Sequence, residues 1–198
     1  MQQKKSIREQ KLLYHLTSLK NIESIFQEGL KARNNLSSFV DVAEADIITF
    51  RNQNNISDLI PFHFFKGSPF AGKVQQSNPE EEFIYIVFHR NKAKALKFKI
   101  FPTHPKHMNP LQLLEYEDGM NKIDWELMDK RDYSNYECKE VCMAECVANL
   151  SSIPPKFFQS IIVKTEETKI YLKTLYRQVF KDNCPFFIDV EPKSFLGT

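Results

Sequence analysis

Residues Phe83-Ile84-Tyr85-Ile86-Val87-Phe88 are apolar without a break. Six such residues fall far short of the roughly 18 needed to cross a bilayer. Aromatic and β-branched types dominate them, so they read as a strand buried inside a sheet. The rest of the chain must supply that sheet and its cover. Leu12 to Leu16 reads as a short strand. Ser18 can then cap a helix carrying Leu19, Ile22, Ile25, Phe26 and Leu30, and Gly29 sits where a left-handed C-cap belongs. Residues 59–65, 97–101, 161–163 and 186–190 read as further strands. Residues 167–181 predict an amphipathic helix with Leu172, Leu175, Tyr176 and Val179 on one face. Residues 91–96 suit one helical turn and 124–131 a short helix.

Three stretches carry Asn, Asp, Ser, Pro or Gly with weak periodicity: residues 31–58, 66–82 and 102–122. They read as long loops, a length usually tied to function. Residues 1–10 are polar and are expected to fray. Residues 136–150 fit helix or strand. Six or seven strands without regular helical alternation point to α+β rather than a doubly wound fold. No repeat or linker appears, so residues 1–198 read as one domain.

Composition excludes several classes. The chain has only 5 Gly, none clustered, so no glycine-rich phosphate loop or dinucleotide fingerprint exists. A net charge of +2 excludes histone-like coating of nucleic acid but allows a local basic groove. Met1 to Lys5 leads into no apolar signal core, and no run is long enough for a membrane span. A soluble cytoplasmic protein without membrane association is expected, with its 4 Cys reduced.

Cys138, Cys142 and Cys146 recur every four residues, which suggests one helix face. Zinc and cluster sites instead pair close thiolates with a distant second half, and only Cys184 remains. They read as packing thiols, and no metal is predicted. The five His form no HExxH motif. No G-x-S-x-G elbow supports a serine nucleophile. His15 differs from the other His, standing at a strand end before a helix N-terminus, a common place to meet a ligand. Glu145 lies in Met143-Ala144-Glu145-Cys146-Val147-Ala148. It is either a catalytic carboxylate or a surface position on an amphipathic helix. Arg51 follows Ile47-Ile48-Thr49-Phe50. It can bind an anion or be a solvated loop charge. Phe64, Phe65, Lys66, Phe70 and Lys73 interleave rings with cations as a single-stranded nucleic-acid groove does, but most of those Phe read equally as core, so a lysine contact and no particular stacking ring is expected.

The order of these pieces resembles a family. Leu13-Tyr14-His15-Leu16-Thr17, Asn21-Ile22 and Gly29-Leu30 look like the opening of ADP-ribosyltransferase-fold proteins. Asp58-Leu59-Ile60-Pro61-Phe62-His63-Phe64, with Ser68-Pro69-Phe70, is similar to the "DYVPFYF…SPM" stretch of DarT-type DNA ADP-ribosyltransferase toxins. Ile123-Asp124-Trp125, Arg131-Asp132-Tyr133 and Ala144-Glu145 follow in the family's order "IDW…RD(F/Y)…QAE". The chain departs at Ser57, where the family often has His, at His63, where Tyr is commoner, and at Cys142-Met143, where "YQ" is usual.

The resemblance implies an ADP-ribosyltransferase-like fold: a central split sheet, mixed or antiparallel, with flanking helices and long loops. It implies NAD as the substrate that donates ADP-ribose and single-stranded DNA as acceptor. Thymine is the favoured base and guanine the other candidate. A macrodomain antitoxin is the implied partner. Glu145 matches the family's catalytic glutamate, and Arg51 lies where the family places its catalytic arginine. His15, Thr17, Gly29, Leu30, Phe62 and His104 are the implied NAD-binding residues, with His107 a rival to His104. Residues 31–58 would cover NAD, and residues 107–142 would recognise the acceptor. Three other readings stand beside this one: an RNA 2′-phosphotransferase, a protein mono-ADP-ribosyltransferase, or an inactive nucleic-acid-binding module.

Overall fold

The computed structural model describes residues 6–36, 39–42 and 44–196. In chain order the elements are β1 (Leu12–Ser18), α1 (Ile22–Glu28), α2 (Ala45–Gln53), β2 (Ile60–His63), α3 (Pro69–Ser77), β3 (Phe83–His89), α4 (Arg90–Ala95), β4 (Lys99–Phe101), β5 (Leu114–Glu115), α5 (Tyr116–Lys122), α6 (Trp125–Lys130), α7 (Tyr136–Cys142), β6 (Glu145–Ala148), β7 (Ser160–Val163), α8 (Glu166–Phe180) and β8 (Phe187–Val190).

The strands form one mixed sheet in the order β5-β4-β6-β2-β1-β3-β7-β8. Its neighbours run antiparallel except β7 and β8, which are parallel. β3 lies inside the sheet, and its unbroken apolar run has a simple cause. Ile84, Ile86 and Phe88 face a core with Phe26 and Leu172. Phe83, Tyr85 and Val87 face a second core with Tyr14, Leu16, Val74 and Phe195. A strand covered on both faces needs apolar side chains at every position.

The sheet is split in the middle. β1 and β3 are in register from Leu12–His89 to Ser18–Phe83. β1 and β2 share a single register pair, Tyr14 with His63. Pro61 of β2 has no N–H to give to a ladder, which weakens pairing there. Arg90 pins the two halves at one end. Its guanidinium, only 5% exposed, donates to the carbonyls of Leu12, Arg8 and Phe64 at 3.1–3.2 Å. It also lies over the rings of Phe64 and Trp125.

The expected long loops contain helices. α3 occupies the stretch 66–82: Ser68 caps it by accepting from the Ala71 N–H, and Pro69 opens its first turn. Ser68 and Pro69 therefore punctuate a helix start rather than a loop. α2 lies within 31–58 and buries no residue fully, so it has no apolar stripe to detect. α5 lies within 102–122. Its Gly119 packs so tightly on Ile100 that a Cβ would stand 2.4 Å from that side chain. Residues 136–150 are helix and then strand, α7 followed by β6. The expected fraying of residues 1–10 is corrected from Ser6 onward. The turn Ile7–Glu9 is anchored by the Ile7 N–H donating to Asp129 at 2.7 Å, with Ile7 buried. Met1 to Lys5 lie outside the described residues. No helix among the described residues is long and apolar enough to cross a membrane.

Candidate active site

A cleft of about 1090 Å³, including its open mouth, lies at the split between β1 and β2. The Pro61 carbonyl meets Nδ1 of His15 at 2.8 Å. A carbonyl can only accept, so Nδ1 carries the proton and Nε2 keeps its lone pair. Burial pushes the His15 pKa down to about 4, and His63 and Arg51 add to the effect against the Pro61 bond. The ring is therefore neutral near pH 7, and Nε2 is an acceptor. Thr17, two residues along the strand and so on the same side, also lines the cleft.

Asn21 ties the wall to the strand. Its amide nitrogen donates to Thr17 Oγ1 at 3.1 Å and to the Val40 carbonyl at 3.0 Å. Its amide oxygen accepts from the Val40 N–H at 2.8 Å. Arg33 pairs with Asp41 and stacks over Phe39, closing the same wall.

Glu145 opens β6 and is 8% exposed. Arg51, from α2, donates Nη1–H to its Oε2 at 2.9 Å. Arg51 Nη2 donates to the carbonyls of Ile56 and Leu59 at 3.1 and 3.2 Å. A nearly buried carboxylate needs such a partner. The guanidinium is held on three sides, so it orients Glu145 rather than swinging toward a ligand. Both surface readings, of Glu145 on a helix face and of Arg51 as a solvated loop charge, are overturned by this pair.

His63 lies opposite Glu145 in the β2–β6 register and stacks on Phe70 with ring centres 5.0 Å apart. Its pKa is lowered by burial. His104 is 6% exposed, and burial lowers its pKa to about 4, against the pull of Glu145. Nδ1 of His63 and Nδ1 of His104 have no hydrogen-bond partner among the described residues. His107 meets Glu140 through Nδ1 and Oε2 at 2.8 Å, with its ring 4.8 Å from that of His104. His104, His107 and Glu140 each offer one atom within 4.8 Å of the others, a group able to hold a metal ion.

A second cleft adjoins the first and shares Ile47, Phe70, His104 and Met143 with it. Lys73, Lys106, His107, Tyr136 and Lys139 line its outer part, and Tyr136 is 64% exposed.

Of the residues expected to form the site, Glu145, Arg51, His15, Thr17, Leu30 and His104 line one cleft. Two do not. Phe62 is fully buried in the core, with its ring centre 5.7 Å from that of His15, so it backs the histidine and meets no ligand space. Gly29 closes α1 at φ +85°, and a Cβ there would stand 3.0 Å from the Ile153 carbonyl. Its role is conformational. The proposed interleaved groove shrinks as well. Phe64 and Phe65 are core and Lys66, paired with Glu191, lines neither cleft, which leaves Phe70 and Lys73, itself paired with Glu44, at a cleft. The thiols of Cys138 and Cys142 are buried and donate to the carbonyls of Leu127 and Met128. Sequence reasoning missed Asn21 as a wall residue and His63 as a floor residue. Asn21 at a helix start reads as an ordinary cap, and His63 alternates with apolar neighbours as any strand residue would.

Residues 14–195 match the family described as ssDNA thymidine ADP-ribosyltransferase, DarT. The chain matches no curated protein sequence. Among solved structures it is similar to Thermus sp. 2.9 DarT in complex with ADP-ribosylated ssDNA, at 18% identity and a TM-score of 0.80 over 98% of this chain and 100% of that one. The same Thermus protein in complex with NAD+ aligns at 16% identity and a TM-score of 0.72, over 94% of this chain and 98% of that one. Thermosipho africanus DarTG in complex with ADP-ribose aligns at 15% identity and a TM-score of 0.71, over 94% of this chain but 51% of the other. These likenesses carry the fold, which is the ADP-ribosyltransferase fold expected from the sequence. With the family match spanning nearly all of its length, the chain belongs to the DarT family of ssDNA thymidine ADP-ribosyltransferases.

Proposed function

We propose that the chain transfers ADP-ribose from NAD to thymine in single-stranded DNA, residues 1–198 acting as one domain. The observation that carries this reading is the Arg51–Glu145 pair on the floor of the split sheet. The cleft residues fit NAD as substrate. His15 presents a neutral Nε2 acceptor for a ribose hydroxyl, Thr17 adds a hydroxyl, and Ile47 and Ile48 offer apolar wall. Gly29 and Phe62 support these residues from behind.

NAD supplies an ADP-ribosyl group with nicotinamide as leaving group, through a transition state like that of glycoside cleavage. Glu145 serves that charge. Arg51 holds its Oε2, leaving the other carboxylate oxygen for the ribose 2′-hydroxyl and for positive charge developing on the sugar. The low exposure of the carboxylate strengthens both interactions. The adjoining cleft places Phe70 and Tyr136 for stacking and Lys139 for a phosphate, with Lys73 and Lys106 beside it in ion pairs with Glu44 and Asp46.

The phosphotransferase reading needs free cations for a phosphate, whereas the two arginines of the cleft, Arg33 and Arg51, are paired with Asp41 and Glu145. The function fits a cytoplasmic toxin. Its partner is a macrodomain antitoxin that removes the mark, and the DarTG relative, about twice this chain's length, supports that pairing. The test is the intact mass of single-stranded oligonucleotides after incubation with protein and NAD, with Glu145→Ala as control. A gain of one ADP-ribose on thymine-containing strands with wild type alone is expected. No gain on oligonucleotides covering all four bases overturns the reading.

A further inference from the structure

A tight turn and a helix face meet in the acceptor cleft. His104 precedes the turn Pro105–His107, and the His107 N–H donates to the His104 carbonyl at 3.1 Å. Residues three apart in such a turn eclipse each other, so both imidazoles leave the same side. Their ring centres stand 4.8 Å apart. α7 brings Glu140 to the same point. Its carbonyl accepts from the His104 N–H at 3.0 Å, and its Oε2 meets His107 Nδ1 at 2.8 Å. One ligand atom from each of the three side chains lies within 4.8 Å of the others.

His104 adds a second, independent observation. It is 6% exposed, and its Nδ1 is buried with no hydrogen-bond partner among the described residues. Buried polar atoms nearly always have a partner, so this nitrogen calls for one. The surrounding charge does not repel a cation, because Lys73, Lys106 and Lys139 are matched by Glu44, Asp46 and Glu140 around the same cleft. Two imidazoles and one carboxylate suit zinc with water in the fourth position, whereas calcium and magnesium call for oxygen ligands. Tetrahedral zinc, with bonds of about 2 Å, sets its ligands about 3.3 Å apart, so the widest gap here closes by at most about 1.5 Å.

We propose that His104, His107 and Glu140 form a zinc site whose occupancy inhibits transfer; the inhibition rests on the DNA-transferase reading above, and the binding does not. The ion takes the place of the proton between His107 Nδ1 and Glu140 Oε2, and that proton leaves to solvent. His104 lines both clefts, so the ion stands at their junction. With its water it fills the passage between donor and acceptor and ties residues 104–107 to α7. It is no cofactor: the Arg51–Glu145 pair lies outside its ligand set and acts without it.

The test has two arms, both on the untagged full chain. The first titrates wild type, His104→Ala, His107→Ala and Glu140→Gln with Zn2+ by calorimetry, and with Co2+ by visible absorption. Wild type is expected to bind one zinc, and each variant to bind it at least about 100-fold more weakly, a loss no smaller than that from removing a ligand's own supporting partner. Bound Co2+ should show tetrahedral bands without thiolate charge transfer. No saturable one-site binding, equal binding by His107→Ala, or a thiolate band that places the ion on the cysteines each overturns the site. The second arm measures transfer to a thymine oligonucleotide with and without zinc. Zinc is expected to slow wild type by at least about 10-fold, reversibly with EDTA, in line with blockage of most molecules at saturation. The ratio of rates with and without zinc should return to one in His107→Ala. Undiminished wild-type transfer at saturating zinc overturns the inhibition, and so does loss of transfer in EDTA alone, which marks a required metal. Wild-type silence on every thymine oligonucleotide without zinc overturns the transferase reading and the inhibition with it, while the zinc titration is judged by itself.

Discussion

Arg51 and Glu145 stand 94 residues apart in sequence and 2.9 Å apart in the fold. The pair joins a helix over the cleft to the first residue of a strand in its floor. Glu145→Gln keeps an acceptor for Arg51, so it is expected to fold normally while transfer falls at least about 100-fold for want of a negative charge. Arg51→Ala leaves a nearly buried carboxylate alone and is expected to cost about 3 kcal/mol of stability as well as activity. Urea unfolding beside the oligonucleotide mass assay checks both. Equal stability of the two variants contradicts the pairing argument.

His15 is predicted to act through its Nε2 acceptor. His15→Phe keeps a ring against Phe62 but removes both nitrogens. Its NAD affinity is expected to drop about 10-fold, the value of one or two hydrogen bonds. Isothermal titration with NAD measures this, and wild-type affinity sinks the assignment.

Stability is expected to rise between about pH 4 and 6.5. His15 and His104 have folded pKa values near 4, while an unfolded histidine titrates near 6.5. Between those values the unfolded chain binds more protons, so falling pH favours unfolding. His104, being buried, contributes up to about 3 kcal/mol of this. Denaturation at pH 5 and pH 7.5, repeated with His104→Gln, separates the histidines from carboxylates that titrate lower. The variant should show a flatter slope; an unchanged slope rules out His104 as a source.

Arg90 crosses the split with three bonds to carbonyls. Arg90→Met keeps much of the volume and strands those carbonyls. A loss of about 3 kcal/mol is expected, from groups that cost about 1 kcal/mol or more each when left unpaired. A loss below about 1 kcal/mol in denaturant unfolding, measured against that same penalty, removes Arg90 as a staple.

Gly29→Ala tests whether that residue is conformational. Its positive φ and the close Ile153 carbonyl predict a loss of about 1–2 kcal/mol with NAD affinity intact. Weakened NAD binding with full stability would return Gly29 to the binding site.

Sequence alone determined what depends on neighbours along the chain. The apolar run at Phe83–Phe88 demanded a strand with both faces covered, and β3 has a core on each side. Gly29 marked a helix end because few other residues accept that backbone. The ordered pieces from Leu13 to Glu145 placed the chain in its family and singled out Glu145 as the candidate carboxylate. Tertiary structure decided what depends on distant partners. α2 buries none of its residues fully, so no periodicity announced the helix that carries Arg51. Phe62 and His15 are both on strands with similar surroundings in sequence, yet one packs into the core and the other faces the cleft. The difference lies in the single register pair at Tyr14 and His63, beyond which the strands part and make space. The pairing of His107 with Glu140 likewise spans 33 residues, and only the packing of α7 beside residues 104–107 brings it about. A side chain's chemistry is local, but its charge state and its partners are set by burial and approach, and those exist only in the folded chain.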